Sequence, residues 1–111
     1  MVLKSLSDED RARARAKALA SRTRRAEVKS AFGAGRLGIE EVLGLGAAEE
    51  AVGRLRVADL LEAVPGVGRI RAAALMERLG ISPNRRLRGL GRKQQDALRR
   101  HFAAPRGSEK G

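Results

Sequence analysis

Val64-Pro65-Gly66-Val67-Gly68-Arg69-Ile70-Arg71-Ala72 packs a helix stop, a two-glycine turn and the start of a basic helix into nine residues. Proline closes the preceding helix, and glycines at 66 and 68 permit a tight corner with no Cβ in the way. A helix beginning at Gly68 leaves its first N–H groups unpartnered and facing out of the turn, where an anion, a phosphate in particular, satisfies them. Arg69 and Arg71 add formal charge beside those amides. Upstream, Val57, Leu60, Leu61 and Val64 recur at three or four residues and predict an apolar-faced helix over 57–64. Downstream, Ile70, Ala73, Ala74, Met76 and Leu79 keep the helical period until Gly80.

The rest of the chain follows the same grammar. Ser7-Asp8-Glu9-Asp10 places a capping hydroxyl and three acids where a helix N-terminus favours them. Residues 11–32 lack Gly and Pro and are rich in Ala, Arg, Lys and Leu, so one long helix is expected, stopped by Gly33 and Gly35. At about 100° per residue, Arg11, Arg15, Arg22, Arg25 and Lys29 fall on one stripe, a basic rail suited to phosphates, whereas Arg13, Lys17 and Arg24 lie on another side. Leu37 to Leu43 predicts a short helix ending at Gly44 or Gly46, and Ala47–Val52 another, stopped by Gly53. Ser82-Pro83 reads as the start of a short helical turn, and a final helix is expected from Arg92 to Phe102. No stretch alternates with the period of two that a half-buried strand requires. The fold class is therefore all-α: a long N-terminal helix followed by a compact bundle of short helices. The expected division is 1–35 for the long basic helix, 36–102 for the compact helical domain, and 103–111 for a disordered tail.

Gly89-Leu90-Gly91 repeats Gly66-Val67-Gly68 at an offset of 23, which also matches Arg69 to Arg92, Ala74 to Ala97 and Leu75 to Leu98. Two phosphate-facing turns on one surface are thereby suggested. From Asn84 to Gln95 there are five basic residues and no acid, and Leu87 and Leu90 are placed to anchor the loop while Arg85, Arg86 and Arg88 point outward. Arginine forks suit phosphate oxygens and enter narrow minor grooves.

Composition limits what this surface can do. The 111 residues carry 24 Lys and Arg against 13 Asp and Glu, a formal net charge of +11, which points to a polyanionic partner and to nucleic acid before others. Apolar residues make up 42% but aromatic ones 2%, so the core is expected to be aliphatic, with Phe32 and Phe102 its only rings. With no Cys and His101 alone, neither a Cys/His metal site nor a Cys–His nucleophilic pair is expected. Asp59, Glu62 and Glu77 read as scattered surface acids. No catalytic residue, metal, cofactor or small-molecule substrate is therefore expected. No run reaches the roughly 18 apolar residues of a membrane span and no signal peptide is evident, so a cytoplasmic protein without membrane association is expected. Neither a heptad seam nor a large apolar patch is visible, and a monomer is expected.

The hairpin resembles that of helix-hairpin-helix proteins, which grip the DNA backbone without reading sequence. Together with Met76-Glu-Arg-Leu-Gly-Ile-Ser82, Arg85-Arg86-Leu87-Arg88-Gly89-Leu90-Gly91 and the earlier Gly53-Arg54-Leu55-Arg56-Val57 and Arg25-Ala26-Glu27-Val28-Lys29, the sequence is similar to the actinobacterial, mycobacterial-type integration host factors over about residues 8–102. That resemblance implies a helix-two-turns-helix, nucleoid-associated, non-enzymatic protein. It would bind double-stranded DNA with little sequence preference, alter DNA topology and chromosome compaction, and in some cases assist phage integrase in site-specific recombination. It implies contacts from the amides of Gly66, Val67 and Gly68 and the side chains of Arg85, Arg86 and Arg88, with Arg54 and Arg56 on a second surface. Arg69, Arg71, Gly89, Gly91, Arg92 and Lys93 join the candidate set from the two turns. Pro83-Asn84 and Arg92-Lys93 depart from the family pattern, and both departures make the region more cationic. A small-subunit ribosomal S13-like protein, binding structured RNA through a related helix-two-turns-helix motif, is the alternative. Aromatic platforms for single strands are absent.

Overall fold

A computed structural model describes residues 7–103. The first helix, α1, runs Asp8–Gly33 and opens with a capping box. Ser7 Oγ accepts from the Asp10 N–H at 3.0 Å, and the Asp10 carboxylate accepts from the Ser7 N–H at 3.4 Å. Two of the four orphan donors of a helix start are thus satisfied locally. From Arg11 to Ala20 every residue is exposed, while Val28 and Phe32 in the last turns are buried. One end of α1 belongs to the core and the other projects from it.

Five shorter helices follow: α2 Ile39–Ala48, α3 Glu50–Gly53, α4 Val57–Glu62, α5 Arg69–Arg78 and α6 Arg92–Ala103. A 3-10 turn at Leu87–Gly89 lies between the last two. Their buried faces supply an aliphatic core in which Val42, Val52, Val57, Leu60, Leu61, Ala72, Met76 and Leu98 are 2% exposed or less. No polar or charged side chain among the described residues is buried. Phe102 meets Phe32 edge to face at 5.2 Å, which ties α6 to the end of α1. The all-α expectation holds: the only β pairing among the described residues is an isolated antiparallel bridge between Arg56 and Arg86.

Several boundaries differ from those read in the sequence, each for a local reason. Helix α2 does not stop at Gly44 or Gly46 but continues to Ala48. Gly46 is a notch, not a terminator: a Cβ there would sit 3.2 Å from that of Leu87, so its absence lets the 3-10 turn lie against α2. The expected Ala47–Val52 helix is displaced to Glu50–Gly53, because Glu49 adopts an extended conformation. Helix α4 ends at Glu62 and not Val64, since Pro65 disfavours helical geometry at the residue before it. Ser82-Pro83 starts no helix; Pro83 and Asn84 form a turn closed by the Arg85 N–H on the Ser82 carbonyl at 3.1 Å. The tail expected from 103 onward lies outside the described residues, apart from Ala103, the last residue of α6.

Leu60 is fully buried and Leu19 is 57% exposed, which sets up a direct comparison. Leu60→Ala is expected to lower the unfolding free energy by about 3 kcal/mol in urea denaturation, and Leu19→Ala to change it by less than about 0.5 kcal/mol.

Candidate nucleic-acid interface

The helix starts separate into two kinds. Helices α1, α2, α3 and α4 each carry at least one acid in the first turn, the arrangement that the helix dipole favours. Helices α5 and α6 carry none, and open instead with Arg69 and Arg71 and with Arg92 and Lys93. Cations beside the positive end of a helix oppose its dipole, and a bound anion reverses that cost. The two unfavourable starts are the two turns singled out by the glycine repeat.

At the first turn, Gly66 has φ +86°, a conformation that favours glycine, and Gly68 caps α5 without a side-chain acceptor. The Val67 N–H is already donated to the Val64 carbonyl at 3.0 Å, so it is not one of the free amides expected there. Among the described residues, no acceptor takes the N–H of Gly66, Gly68, Arg69, Ile70 or Arg71, so two of the three expected amides are open and the open set extends into the first turn of α5. The Arg71 guanidinium donates to the Gly66 carbonyl at 3.1 Å and braces the corner from within.

The second turn resembles the first in sequence more than in structure. The N–H groups of Gly89 and Leu90 close the 3-10 turn on Arg86 and Leu87, and that of Gly91 is donated to the Gln94 side chain at 2.9 Å. None of these three glycine-loop amides is left open. At the start of α6, no acceptor among the described residues takes the N–H of Arg92, Lys93 or Gln94. The reason is the tight 3-10 geometry, which the 23-residue repeat does not encode.

Leu87 and Leu90 are buried and anchor the loop, as their spacing implies. Arg88 and Arg86 are exposed and Arg85 is half-buried. Arg85 donates to the Gly89 carbonyl at 2.7 Å and Arg86 to the Arg54 carbonyl at 2.9 Å, so both brace the loop as well as charge it. Arg88 forms no ion pair or side-chain hydrogen bond among the described residues. Arg54 pairs with Glu50 at 2.9 Å, whereas Arg56, Arg69, Arg71, Arg92 and Lys93 meet no carboxylate among the described residues.

Backbone pairing brings two distant stretches together. The Val57 N–H donates to the Arg85 carbonyl at 3.0 Å and the Leu87 N–H to the Leu55 carbonyl at 2.9 Å, flanking the Arg56–Arg86 bridge. The result is a concavity of about 410 Å³ where Arg54, Arg56 and Arg86 face Arg22, Arg25 and Lys29 of α1, with Asp59 the one acid on its lining. The α1 stripe was visible in sequence, but its meeting with Arg54 and Arg56 was not, because no periodicity announces a two-residue bridge. Arg24, on another side of α1, has a different use. Its guanidinium grips Glu49 through two bonds of 2.8 Å, which hold the Glu49 carboxyl below the usual carboxylate range and raise Arg24.

Asp59, Glu62 and Glu77 are less scattered than they read in sequence. All three line one cleft of about 660 Å³ between α4 and α5, with Met76 and Ile81 on its floor. They do not converge: the described residues hold no group of three or more His, Cys, Asp or Glu able to bind a metal ion. Nor is any described helix long and apolar enough to cross a membrane.

Residues 33–102 match the S13-like H2TH domain family. The chain is 45% identical over 104 residues to an integration host factor of Streptomyces coelicolor, an alignment covering 94% of this chain and 97% of that one. It is 43% identical over 104 residues to an integration host factor of Mycobacterium tuberculosis, covering 94% and 99%. Among solved structures, sIHF bound to an 8-bp palindromic DNA superposes with a TM-score of 0.75 at 46% identity, covering 78% of this chain and 97% of that one.

The two bracing arginines and their free neighbour are expected to behave differently. Arg86→Ala should lower the unfolding free energy by about 1 kcal/mol in urea denaturation, because the Arg54 carbonyl loses its donor. Arg88→Ala should leave it within about 0.5 kcal/mol.

Proposed function

The chain belongs to the integration host factor family, and on that footing we propose that it is a non-enzymatic, nucleoid-associated architectural protein that binds double-stranded DNA through the phosphate backbone. The observation that carries the reading is the pair of helix starts, α5 and α6, that place arginine and lysine where every other α-helix here places an acid. Such starts weaken the free protein and become favourable when a phosphate is bound. The DNA-bound relative supports duplex DNA as the polyanion. Identity to integration host factors across nearly the full length favours DNA over ribosomal RNA, whereas the S13-like H2TH match covers residues 33–102.

In this reading Gly66, Gly68, Arg69 and Arg71 with the α5 amides hold one stretch of backbone, and Arg88, Arg92 and Lys93 with the α6 amides hold another. Val67, Gly89 and Gly91 shape the turns. The concavity formed by Arg54, Arg56, Arg86 and the α1 stripe is a second basic surface, consistent with altered DNA topology, compaction and assistance to a phage integrase. The protein acts from the cytoplasm, on the nucleoid, and as a monomer. Its described surface exposes only Leu19 and Ile70 as large apolar side chains.

Fluorescence anisotropy titrations of unrelated duplexes over a range of salt test the reading. With about six phosphates neutralised, log K is expected to fall against log salt with a slope of about −5 and to differ little between sequences. Combining Arg88→Ala, Arg92→Ala and Lys93→Ala should flatten that slope by roughly 3. A salt-insensitive affinity, a strongly preferred site, or tighter binding to ribosomal RNA than to duplex DNA would each overturn it.

A further inference from the structure

We propose that Ile70 is the apolar contact of the hairpin with DNA, seated against the deoxyribose walls of the minor groove between two arginine-held phosphate strands. The inference rests on the DNA-binding reading above and assigns that surface its groove.

A single exposed apolar residue needs no explanation in itself. The place of Ile70 is what requires one. It is 84% exposed and is the second residue of α5, within the turn whose amides are open. Ala72, Leu75 and Met76 define the buried side of α5. At about 100° per residue, Ile70 points almost directly away from that side, with Arg69 and Arg71 diverging about 100° to its left and right. The outermost point of the hairpin helix is therefore a branched hydrocarbon between two guanidinium-bearing chains.

Local energetics do not favour isoleucine there. The first turn of a helix prefers an acid, and β-branched side chains lose rotamer freedom on a helix. Packing offers nothing either, since Ile70 lies outside the core and the next residues along its side, Ala73 and Ala74, are small and exposed. Small neighbours leave the helix open to close approach by a flat or concave wall. The B-DNA minor groove is about 6 Å wide, scaled to one side chain, whereas the major groove admits a whole helix or ribbon. Its flanking phosphates are where Arg69, Arg71 and the α5 amides would find partners. Apolar side chains entering the minor groove also favour bending toward the major groove.

The contact has a signature separate from that of the arginines. Burying hydrocarbon releases no counterions, so it adds affinity at every salt concentration and leaves the slope of log K against log salt unchanged. The test is anisotropy titration of a fluorescent duplex at several salt concentrations with wild type, Ile70→Ser and Ile70→Lys, after thermal melts establish that the variants fold. Ile70→Ser is expected to bind roughly ten-fold more weakly at all salts with the wild-type slope. Ile70→Lys is expected to steepen the slope yet bind more weakly than wild type at high salt. A minor-groove-binding oligopyrrole is expected to displace wild type and to compete less against the residual affinity of Ile70→Ser. Unchanged affinity of Ile70→Ser, a loss that alters the slope, Ile70→Lys binding as well as wild type at high salt, or indifference of wild type to the oligopyrrole would each overturn the assignment. Failure of wild type itself to bind duplex DNA would overturn the parent reading as well, and is distinguished by being seen before any variant is examined.

Discussion

The bridge between Arg56 and Arg86 holds the basic surface in one piece. Two backbone hydrogen bonds, at 3.0 and 2.9 Å, join the segment entering α4 to the loop that leads to α6, and the Arg86 guanidinium adds a third bond to the Arg54 carbonyl. Like charges are thereby held close: Arg54, Arg56 and Arg86 share a concavity with Arg22, Arg25 and Lys29, a crowding that Asp59 on the same lining and the Glu50 partner of Arg54 offset in part. The remaining repulsion favours separation, and what opposes it is mainly apolar. Leu55, Val57 and Leu87 are buried beside the bridge, so opening it would expose hydrocarbon as well as break hydrogen bonds. The core thus holds in place a charge arrangement that the free protein would not choose on electrostatic grounds.

The same tension recurs at the helix starts. In α1 the capping box and three acids stabilise a helix that, over its first half, touches little else. In α5 and α6 the local signals point the other way, and tertiary packing through Ala72, Leu75, Met76 and Leu98 carries the helix instead. Local rules are broken at two places, and a protein that breaks them where it meets an anion recovers the deficit on binding. The positions where the sequence is least favourable to its own fold are those that the proposed function needs.

Much of this was legible without coordinates. The 3.6-residue period marked α4 and α5, the short helix at Ala47–Val52 was misplaced by three residues at its start, Leu87 and Leu90 read correctly as anchors, and Pro65 with Gly66 marked the corner. Misreadings came where one residue type serves two physical ends. Gly46 looked like a helix stop and is a packing notch under Leu87, a distinction that depends on what lies across the gap. The Gly89-Leu90-Gly91 repeat looked like a second open corner, but the 3-10 turn and Gln94 consume its amides. Asp59, Glu62 and Glu77 looked dispersed because two lie on α4 and one on α5, and only the packing of those helices puts them on one cleft. The meeting of α1 with Arg54 and Arg56 was invisible for the same reason: it depends on a contact between residues about thirty apart, with no repeating pattern.

The sequence-independent binding proposed above also has a structural basis, in what the polar side chains near the interface already do. Base edges are read chiefly by bidentate Asn, Gln and Arg and by acidic acceptors, whereas phosphate contacts carry no sequence information. Gln94 accepts from the Gly91 N–H and donates to the Gly80 carbonyl at 2.8 Å, and Gln95 donates to the Leu90 carbonyl at 3.2 Å. Both amides are thus engaged in fixing the α6 start. Arg85, Arg86 and Arg71 are partly engaged in the same way, each on a carbonyl of its own loop or a neighbouring one. Asn84 apart, which is exposed and forms no side-chain hydrogen bond among the described residues, what remains free to face DNA is a set of backbone amides and cationic heads, joined at Ile70 by a hydrocarbon that every sugar can meet alike. A surface so composed responds to the spacing of phosphates and the width of a groove, and discriminates between sequences only as far as sequence alters that shape.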